Sequence, residues 1–253
     1  GLSRAYRFVL REDQSIKESA IKSINFVLNR IGEDGSLLRN HTGDRASLEG
    51  VLEDYAFAIA ALIEGYELCY NEKYLEGALQ LNNYVIDHFS SDNALFYYTS
   101  IKSNELIRRS IETEDNVINS SNSMMAINFF KLYQLGVGKE LKSRAQAMLF
   151  QMKDRVSQFP KNHSNWLRLS LLLGNTFELT VISGKDAFEW SDQLDSKWIP
   201  HRLIAASDTK SSLDLFEDRF SEEQTFIFVC VEGRCLLPNT NPKNYKPINV
   251  SIC

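Results

Sequence analysis

The sequence has little cysteine and proline, and it has no long apolar run. Its 253 residues include four cysteines and five prolines, and cysteines so few and scattered exclude a disulfide-built scaffold. No apolar run reaches the roughly 20 residues of a membrane span, and the first residues lack the apolar core of a signal peptide. These absences predict a cytoplasmic protein without a membrane segment. The start at Gly1, without an initiator Met, indicates a fragment of a longer protein.

The charge balance also excludes a class of partner. The chain has 28 Lys and Arg against 33 Asp and Glu, a formal net charge of -5. Without an excess of basic residues, nucleic acid is not an expected partner. Hydrophobic residues make up 43% of the chain and charged residues 24%, which is typical of a globular protein with a substantial core.

Two stretches are apolar on nearly every side of a helix, which predicts that both are buried. The first covers residues 48–70 and the second 120–135. Each is followed after a short turn by an amphipathic helix, at 72–89 and 139–158. A helix at 15–31 precedes these pairs, and a short one at 166–173 follows them.

This alternation predicts stacked helical hairpins in a ring or solenoid, with buried inner helices and half-exposed outer ones. A long polar loop precedes each buried helix, so such loops would form the rim of a central cavity. The alternative is an irregular helical domain without a cavity.

The composition changes at Asn175, where β-branched and aromatic residues begin to dominate. Residues 176–184 and 201–207 read as strands joined by a helical crossover at 185–195, which allows them to pair in parallel. Two further apolar segments flank Glu232-Gly233, a hairpin signal. The prediction is therefore a mainly α fold, with a partial (α/α) toroid of helical hairpins over residues 1–174 and a small C-terminal α/β module over 175–253.

Polar residues at the predicted rim are the candidate site. Glu53, Asp54 and Tyr55 lie in the first turn of the first buried helix. Acids there are also explained by the helix dipole alone. As functional groups, the two acids would bind a sugar hydroxyl or transfer a proton, and Tyr55 would stack or donate a hydrogen bond.

The equivalent place before the second buried helix is also polar. It holds Asp115, Asn116, Ser121 and Asn122. Helix capping explains most of these residues, but as a set they would supply the directional contacts that carbohydrate recognition needs. Asp44 and Arg45, in the loop before the first buried helix, are further binding candidates, although solvated loop residues are the simpler explanation.

Glycoside hydrolysis needs two carboxylates at a defined separation, and Glu53 or Asp54 with Asp115 is the candidate catalytic pair. Epimerisation commonly uses histidines, and the two predicted inner helices carry none. No cofactor is expected, and two cysteines four residues apart do not make a zinc site.

Cys230 and Cys235 face each other across the predicted hairpin. If Glu232-Gly233 is a two-residue turn, the two cysteines form a non-hydrogen-bonded pair, whose short separation allows a reducible disulfide. The alternative is two thiols packed as small apolar side chains.

Three segments resemble, in order and spacing, the C-terminal part of one family. They are LEDYAFAIAALIEGYELCYNEKYLEGALQL (52–81), NSSNSMMAINFFKLYQLG (119–136) and FVCVEGRCLLPNTNP (228–242). The family comprises the bacterial YyaL proteins and the spermatogenesis-associated thioredoxin-like proteins. The resemblance implies a preceding thioredoxin-like domain and an (α/α) toroid similar to those of N-acylglucosamine 2-epimerases and six-hairpin glycosidases.

Two functional hypotheses follow. The first is a cavity that binds or acts on a small carbohydrate, with epimerase-like or glycosidase-like chemistry if it is an enzyme. The second is a non-catalytic scaffold that docks the implied thioredoxin-like domain on a flat apolar patch, for which Phe96-Tyr97-Tyr98 is the candidate. A redox function of Cys230 and Cys235 is a third.

Overall fold

The computed structural model describes residues 1–42, 45–103, 109–196 and 199–248. The helices and strands of this part of the chain are, in order, α1 (Leu2–Phe8), α2 (Gln14–Leu28), β1 (Leu38–Thr42), β2 (Arg45–Glu49), α3 (Leu52–Cys69), α4 (Lys73–Phe89), α5 (Ser121–Gln134), α6 (Leu141–Gln158), α7 (Ser164–Gly174), β3 (Glu178–Ser183), α8 (Ala187–Leu194), β4 (Arg202–Ser207), β5 (Phe226–Val231) and β6 (Arg234–Cys235).

The mainly α prediction is confirmed, and the predicted helices are present with shifted ends. The largest shift is at the start of α3, where Val51 is extended and precedes the first helical residue, Leu52. The segment before it is a β1–β2 hairpin, in which Asn40 pairs with Ser47, rather than the predicted polar loop. Helix α1 was not predicted, because seven residues give too little apolar periodicity.

Helices α3, α5 and α7 lie side by side, since α3 contacts α5 and α5 contacts α7. Helix α4 packs outside α3, and α6 packs outside α5. Buried Tyr66, Phe129 and Phe130 come from the inner helices. The apolar stripes of the outer helices face the same core, with Leu81 and Val85 from α4 and Met148 from α6. This is the predicted pairing of buried and half-exposed helices.

The C-terminal sheet has the strand order β4-β3-β5-β6. Strand β3 pairs in parallel with β4 and antiparallel with β5, which confirms the predicted parallel pairing through a crossover helix. Val181, Leu203 and Ala205 on one face join the helical core. Ile182 and Ile204 on the other face form a second core with α8.

Gly184 ends β3 in a conformation that only glycine adopts readily, with φ of +126°. A Cβ atom there would lie 2.6 Å from Cα of Thr225. The close approach lets the segment before β5 run beside the end of β3.

No helix within the described ranges has the length and apolar content that a membrane crossing requires. The division into 1–174 and 175–253 and the cytoplasmic location remain predictions.

Candidate functional site

The candidate acids Glu53 and Asp54, at the start of α3, interact with nearby residues of the protein. The Asp54 carboxylate accepts a hydrogen bond from the backbone N–H of Val51 at 2.9 Å and so caps its own helix. The hydroxyl of Tyr98 lies 3.3 Å from Glu53 Oε2. The guanidinium of Arg39 lies 3.7 Å from Glu53 and 3.8 Å from Asp54. Both carboxylates remain partly exposed at this end of the helix.

Tyr55, predicted to bind substrate, is a core residue with 1% of its surface exposed. Its hydroxyl accepts a hydrogen bond from the N–H of Leu37 at 2.8 Å, and its ring stacks on Tyr84 at 5.2 Å. Burial raises the pKa of Tyr55 above its usual range. The ring therefore presents no open face to a ligand.

Asp115, the other member of the candidate catalytic pair, caps two helices. Its Oδ1 accepts from the N–H of Ser120 at 2.9 Å and from the hydroxyl of Ser123 at 3.1 Å, at the start of α5. Its Oδ2 accepts from the N–H of Asn165 at 2.7 Å, at the start of α7. Among the described residues, no hydrogen bond or ion pair joins it to Glu53 or Asp54.

Asn122 and Ser121 hold the segments that precede α5. The fully buried Asn122 side chain accepts from the N–H of Phe96 at 2.8 Å and donates to the carbonyls of Phe96 and Glu112. The Ser121 hydroxyl donates to the Glu112 carboxylate at 2.7 Å. Asn116 is exposed. The two buried side chains thus fasten loops rather than project into a cavity.

Two further predicted binding residues have no described side chain. Asp44 lies outside the described residues. Arg45 is placed only by its backbone, which pairs with Thr42 in the β1–β2 hairpin.

A cavity of about 410 Å³ lies elsewhere, between the inner helices and the edge of the sheet. We call it the charged cavity. Its charged lining residues are Arg4, Arg7, Glu64, Glu67, Lys131, Arg168, Asp195 and Arg202. Five cations against three carboxylates leave two positive charges in excess. Apolar side chains complete the wall, including Phe8, Leu171 and Phe177.

Helical spacing brings these charges together. Arg4 and Arg7 lie three residues apart on α1, and Glu64 and Glu67 do so on α3, so each pair shares one helix face. Lys131 is on α5. Asp195 follows α8 and Arg202 opens β4, so the sheet contributes the far side of the cavity.

Most of these charges form one ion-paired chain. Arg4 and Lys131 bind Glu64, at 3.0 Å and 2.8 Å. Lys131 and Arg7 each lie 3.1 Å from Glu67. Burial opposes the ionisation of Glu64, but Lys131 and Arg4 override it and hold its pKa well below the usual range. The carboxylate is therefore a fixed negative charge.

The series of ion pairs extends from the helices to the C-terminal sheet. Arg7 Nε lies 2.7 Å from Asp195 Oδ2, and Arg202 Nη2 lies 3.4 Å from Asp195 Oδ1. These buried contacts tie α1 to the C-terminal module.

Arg168 lies on the same cavity wall, and its side chain makes no hydrogen bond or ion pair to any described residue. Burial lowers the pKa of its guanidinium below the usual range and the nearby Arg4 lowers it further, whereas the charges of Glu64 and Glu67 oppose this shift. An unpaired, partly buried cation is costly unless an anion meets it. Nδ1 of His201, also on the wall, is buried and without a partner in the described structure.

Sequence reasoning missed the charged cavity, although a signal was present. Glu64, Glu67 and Lys131 interrupt helices that are otherwise apolar on all sides, and a charge in a buried helix requires a partner. The partners come from residues 4–7 and 195–202, and sequence alone does not reveal which distant charges meet.

Of the two alternatives for Cys230 and Cys235, the structure contains the disulfide. The residues pair across the β5–β6 hairpin with Cα atoms 3.9 Å apart. The turn is the predicted Glu232-Gly233, and both residues have positive φ.

The fold and the charged cavity define a mainly α-helical protein with a small sheet packed against its inner helices. No family model matches the chain. Its sequence is similar to spermatogenesis-associated protein 20 of Homo sapiens, with 26% identity over 229 residues, covering 82% of this chain and 29% of that protein. The protein of the same name from Rattus norvegicus is 25% identical over 206 residues, covering 76% and 26%. This low-identity homology supports the family resemblance, and the chain spans less than a third of the length of these relatives.

Proposed function

We propose that this chain forms part of a toroid-like helical cavity that binds a small carbohydrate bearing an anionic group. The observation that carries the proposal is Arg168, whose guanidinium has no ion-pair partner among the described residues, in a cavity lined by five cationic and three anionic side chains. Helices α3, α5 and α7 would be part of the inner ring, and α4 and α6 part of the outer one.

The size and lining of the cavity suit such a ligand. A volume of about 410 Å³ falls in the range of small-molecule sites. A guanidinium recognises a carboxylate or phosphate by two parallel hydrogen bonds. Phe8 and Phe177 supply apolar surface for the faces of a sugar ring.

Binding suits the charged cavity better than glycoside hydrolysis does. A general acid needs a carboxyl group with a raised pKa, whereas the pKa of Glu64 is lowered by its cationic partners. Glu67 and Asp195 are likewise ion-paired. The carboxylates therefore orient the cations rather than exchange protons.

Residues 96–98, the candidate patch for docking the thioredoxin-like domain, differ from a flat apolar surface. Phe96 is buried, with 2% of its surface exposed, and the guanidinium of Arg109 lies 4.2 Å over the ring of Tyr97. Residues 96–98 are therefore not a flat apolar patch.

Thermal unfolding with added ligands tests the proposal. The panel is glucose, glucuronate, glucose 6-phosphate and inorganic phosphate, with Arg168→Gln as the variant. Arg144→Gln, an exposed arginine on α6, is the matched control. A ligand at 100 times its Kd adds about 2.7 kcal/mol of stability, which raises the midpoint measurably.

We expect an upward shift with glucuronate or glucose 6-phosphate, absent with glucose and lost in Arg168→Gln but kept in Arg144→Gln. A response to glucose that survives Arg168→Gln would contradict the anionic requirement. A response to inorganic phosphate alone would contradict the carbohydrate, and no response to any ligand would contradict the proposal as a whole.

A further inference from the structure

The disulfide between Cys230 and Cys235 borders a second cavity of about 410 Å³, away from the charged one. The opposite side of this cavity comes from the end of α5 and the turn that follows it, including Tyr133 and Gly136. Cys230 is 3% exposed, whereas Cys235 is partly exposed. The two cysteines therefore differ in exposure although both line the cavity, and we expect an incoming group to meet Cys235 first.

A cation accompanies the buried sulfur. Nη1 of Arg219 lies 3.8 Å from Sγ of Cys230, and its guanidinium carbon lies 5.2 Å from the centre of the Phe228 ring. Arg219 has no carboxylate partner among the described residues, and burial lowers the pKa of its guanidinium. A cation placed in this way stabilises a thiolate at Cys230.

We propose that Cys230 and Cys235 are a thiol–disulfide exchange site, in which a dithiol attacks Cys235 and Arg219 stabilises Cys230 as the leaving thiolate. The inference is independent of the carbohydrate cavity. It rests on the unequal exposure of the two cysteines, the adjacent cavity and the cation beside Cys230, which has no carboxylate partner among the described residues.

The exchange proceeds in two steps. A thiolate of the dithiol attacks Sγ of Cys235, an S–S bond forms there, and the Cys230–Cys235 bond breaks with its electron pair left on Cys230. The second thiol of the dithiol loses its proton to water. It then attacks the first sulfur of the dithiol, which is bonded to Cys235 in the mixed disulfide. Cys235 leaves as a thiolate and takes a proton from water. Two electrons pass to the protein, and the dithiol departs as a disulfide.

The exchange rate depends on the pKa of the leaving thiol. Removing the guanidinium raises the pKa of the Cys230 thiol. A thiol of higher pKa is a poorer leaving group, so this rise slows reduction. We therefore expect Arg219→Ala to be reduced by dithiothreitol measurably more slowly than the original chain, Arg219→Lys to lie between them, and Arg144→Ala to be unchanged.

The site of attack can be located directly. Trypsin cleaves after Arg219, Arg234 and Lys243, so the two cysteines fall on separate peptides. The folded chain is treated with glutathione, quenched in acid before completion and mapped by mass spectrometry. We expect the glutathione adduct on the peptide 235–243 rather than on 220–234.

A second measurement separates chemistry from folding. Alkylation of the reduced chain across pH reports the pKa of the Cys230 thiol, which we expect to be higher in Arg219→Ala than in Arg219→Lys. Three results would overturn the proposal: a disulfide that resists dithiothreitol until the chain unfolds, an adduct on Cys230, or an alkylation profile that Arg219→Ala leaves unmoved.

Discussion

Replacing Asp115 by alanine distinguishes a catalytic acid from a structural cap. Its carboxylate accepts hydrogen bonds from the starts of two helices, through the N–H groups of Ser120 and Asn165 and the hydroxyl of Ser123. Loss of one N-cap costs about 1 kcal/mol, and a hydrogen bond to a charged group is worth about 1.5–3 kcal/mol. Because Asp115 is partly exposed, we expect a total loss of about 2–3 kcal/mol.

Urea unfolding followed by circular dichroism measures this loss, and thermal unfolding shows it as a fall of the midpoint by about 5–10 °C. Asp115→Asn keeps one acceptor oxygen, so we expect about half the effect. Glu114→Ala removes an exposed neighbouring acid and serves as the control. A loss below about 0.5 kcal/mol in Asp115→Ala, within the range of ordinary surface changes, would refute the double-cap reasoning.

Three further results follow from the buried contacts. Lys131→Met leaves Glu64 and Glu67 short of a cation, and we expect urea unfolding at pH 7 to show a loss of about 3–5 kcal/mol. The pKa of Glu64 is lower in the folded than in the unfolded protein. Its contribution to the stability of the fold is therefore present above about pH 4.3 and is lost as the pH falls toward the folded value. Thermal midpoints measured across acidic pH should show this loss, and the loss should be smaller in Lys131→Met. Tyr55→Phe leaves the N–H of Leu37 without its acceptor, and we expect urea unfolding to show a cost of about 1–3 kcal/mol.

Each of these losses of stability is compared with that of a matched control variant. Lys139→Met changes an exposed lysine and should be nearly neutral, and Tyr97→Phe removes a hydroxyl that has no described hydrogen bond. Equal losses in Lys131→Met and Lys139→Met would contradict the buried network. An acid response unchanged by Lys131→Met would remove the Glu64 assignment, and equal losses in Tyr55→Phe and Tyr97→Phe would remove the role of the Tyr55 hydroxyl.

The helices were predictable because their signals are local. Apolar periodicity located α3, α4, α5 and α6, and the change in composition at Asn175 located the strands. The β1–β2 hairpin was less predictable, since residues 38–49 are mostly polar and show little alternation. Its pairing is specified by contacts that periodicity does not report.

The candidate site was predictable only as residue types. Acids and amides before a buried helix suit a ligand rim and a helix cap equally well. The side-chain oxygens of Asp115, Asn122 and Tyr55 instead accept hydrogen bonds from backbone N–H groups. The charged cavity was out of reach because Arg7 meets Asp195 across 188 positions, a distance over which no sequence spacing indicates contact.

That separation has a consequence for the order in which the chain is assembled on the ribosome. Arg7 is synthesised before its carboxylate partner in the sheet module, which follows 188 residues later, about 10–40 s at usual translation rates. Until then Glu67 has Lys131 as its other cationic partner, and α1 lacks its anchor on the sheet. The contact of α1 with the sheet module through Arg7 and Asp195 is therefore formed late, and truncation before residue 195 leaves α1 without that attachment.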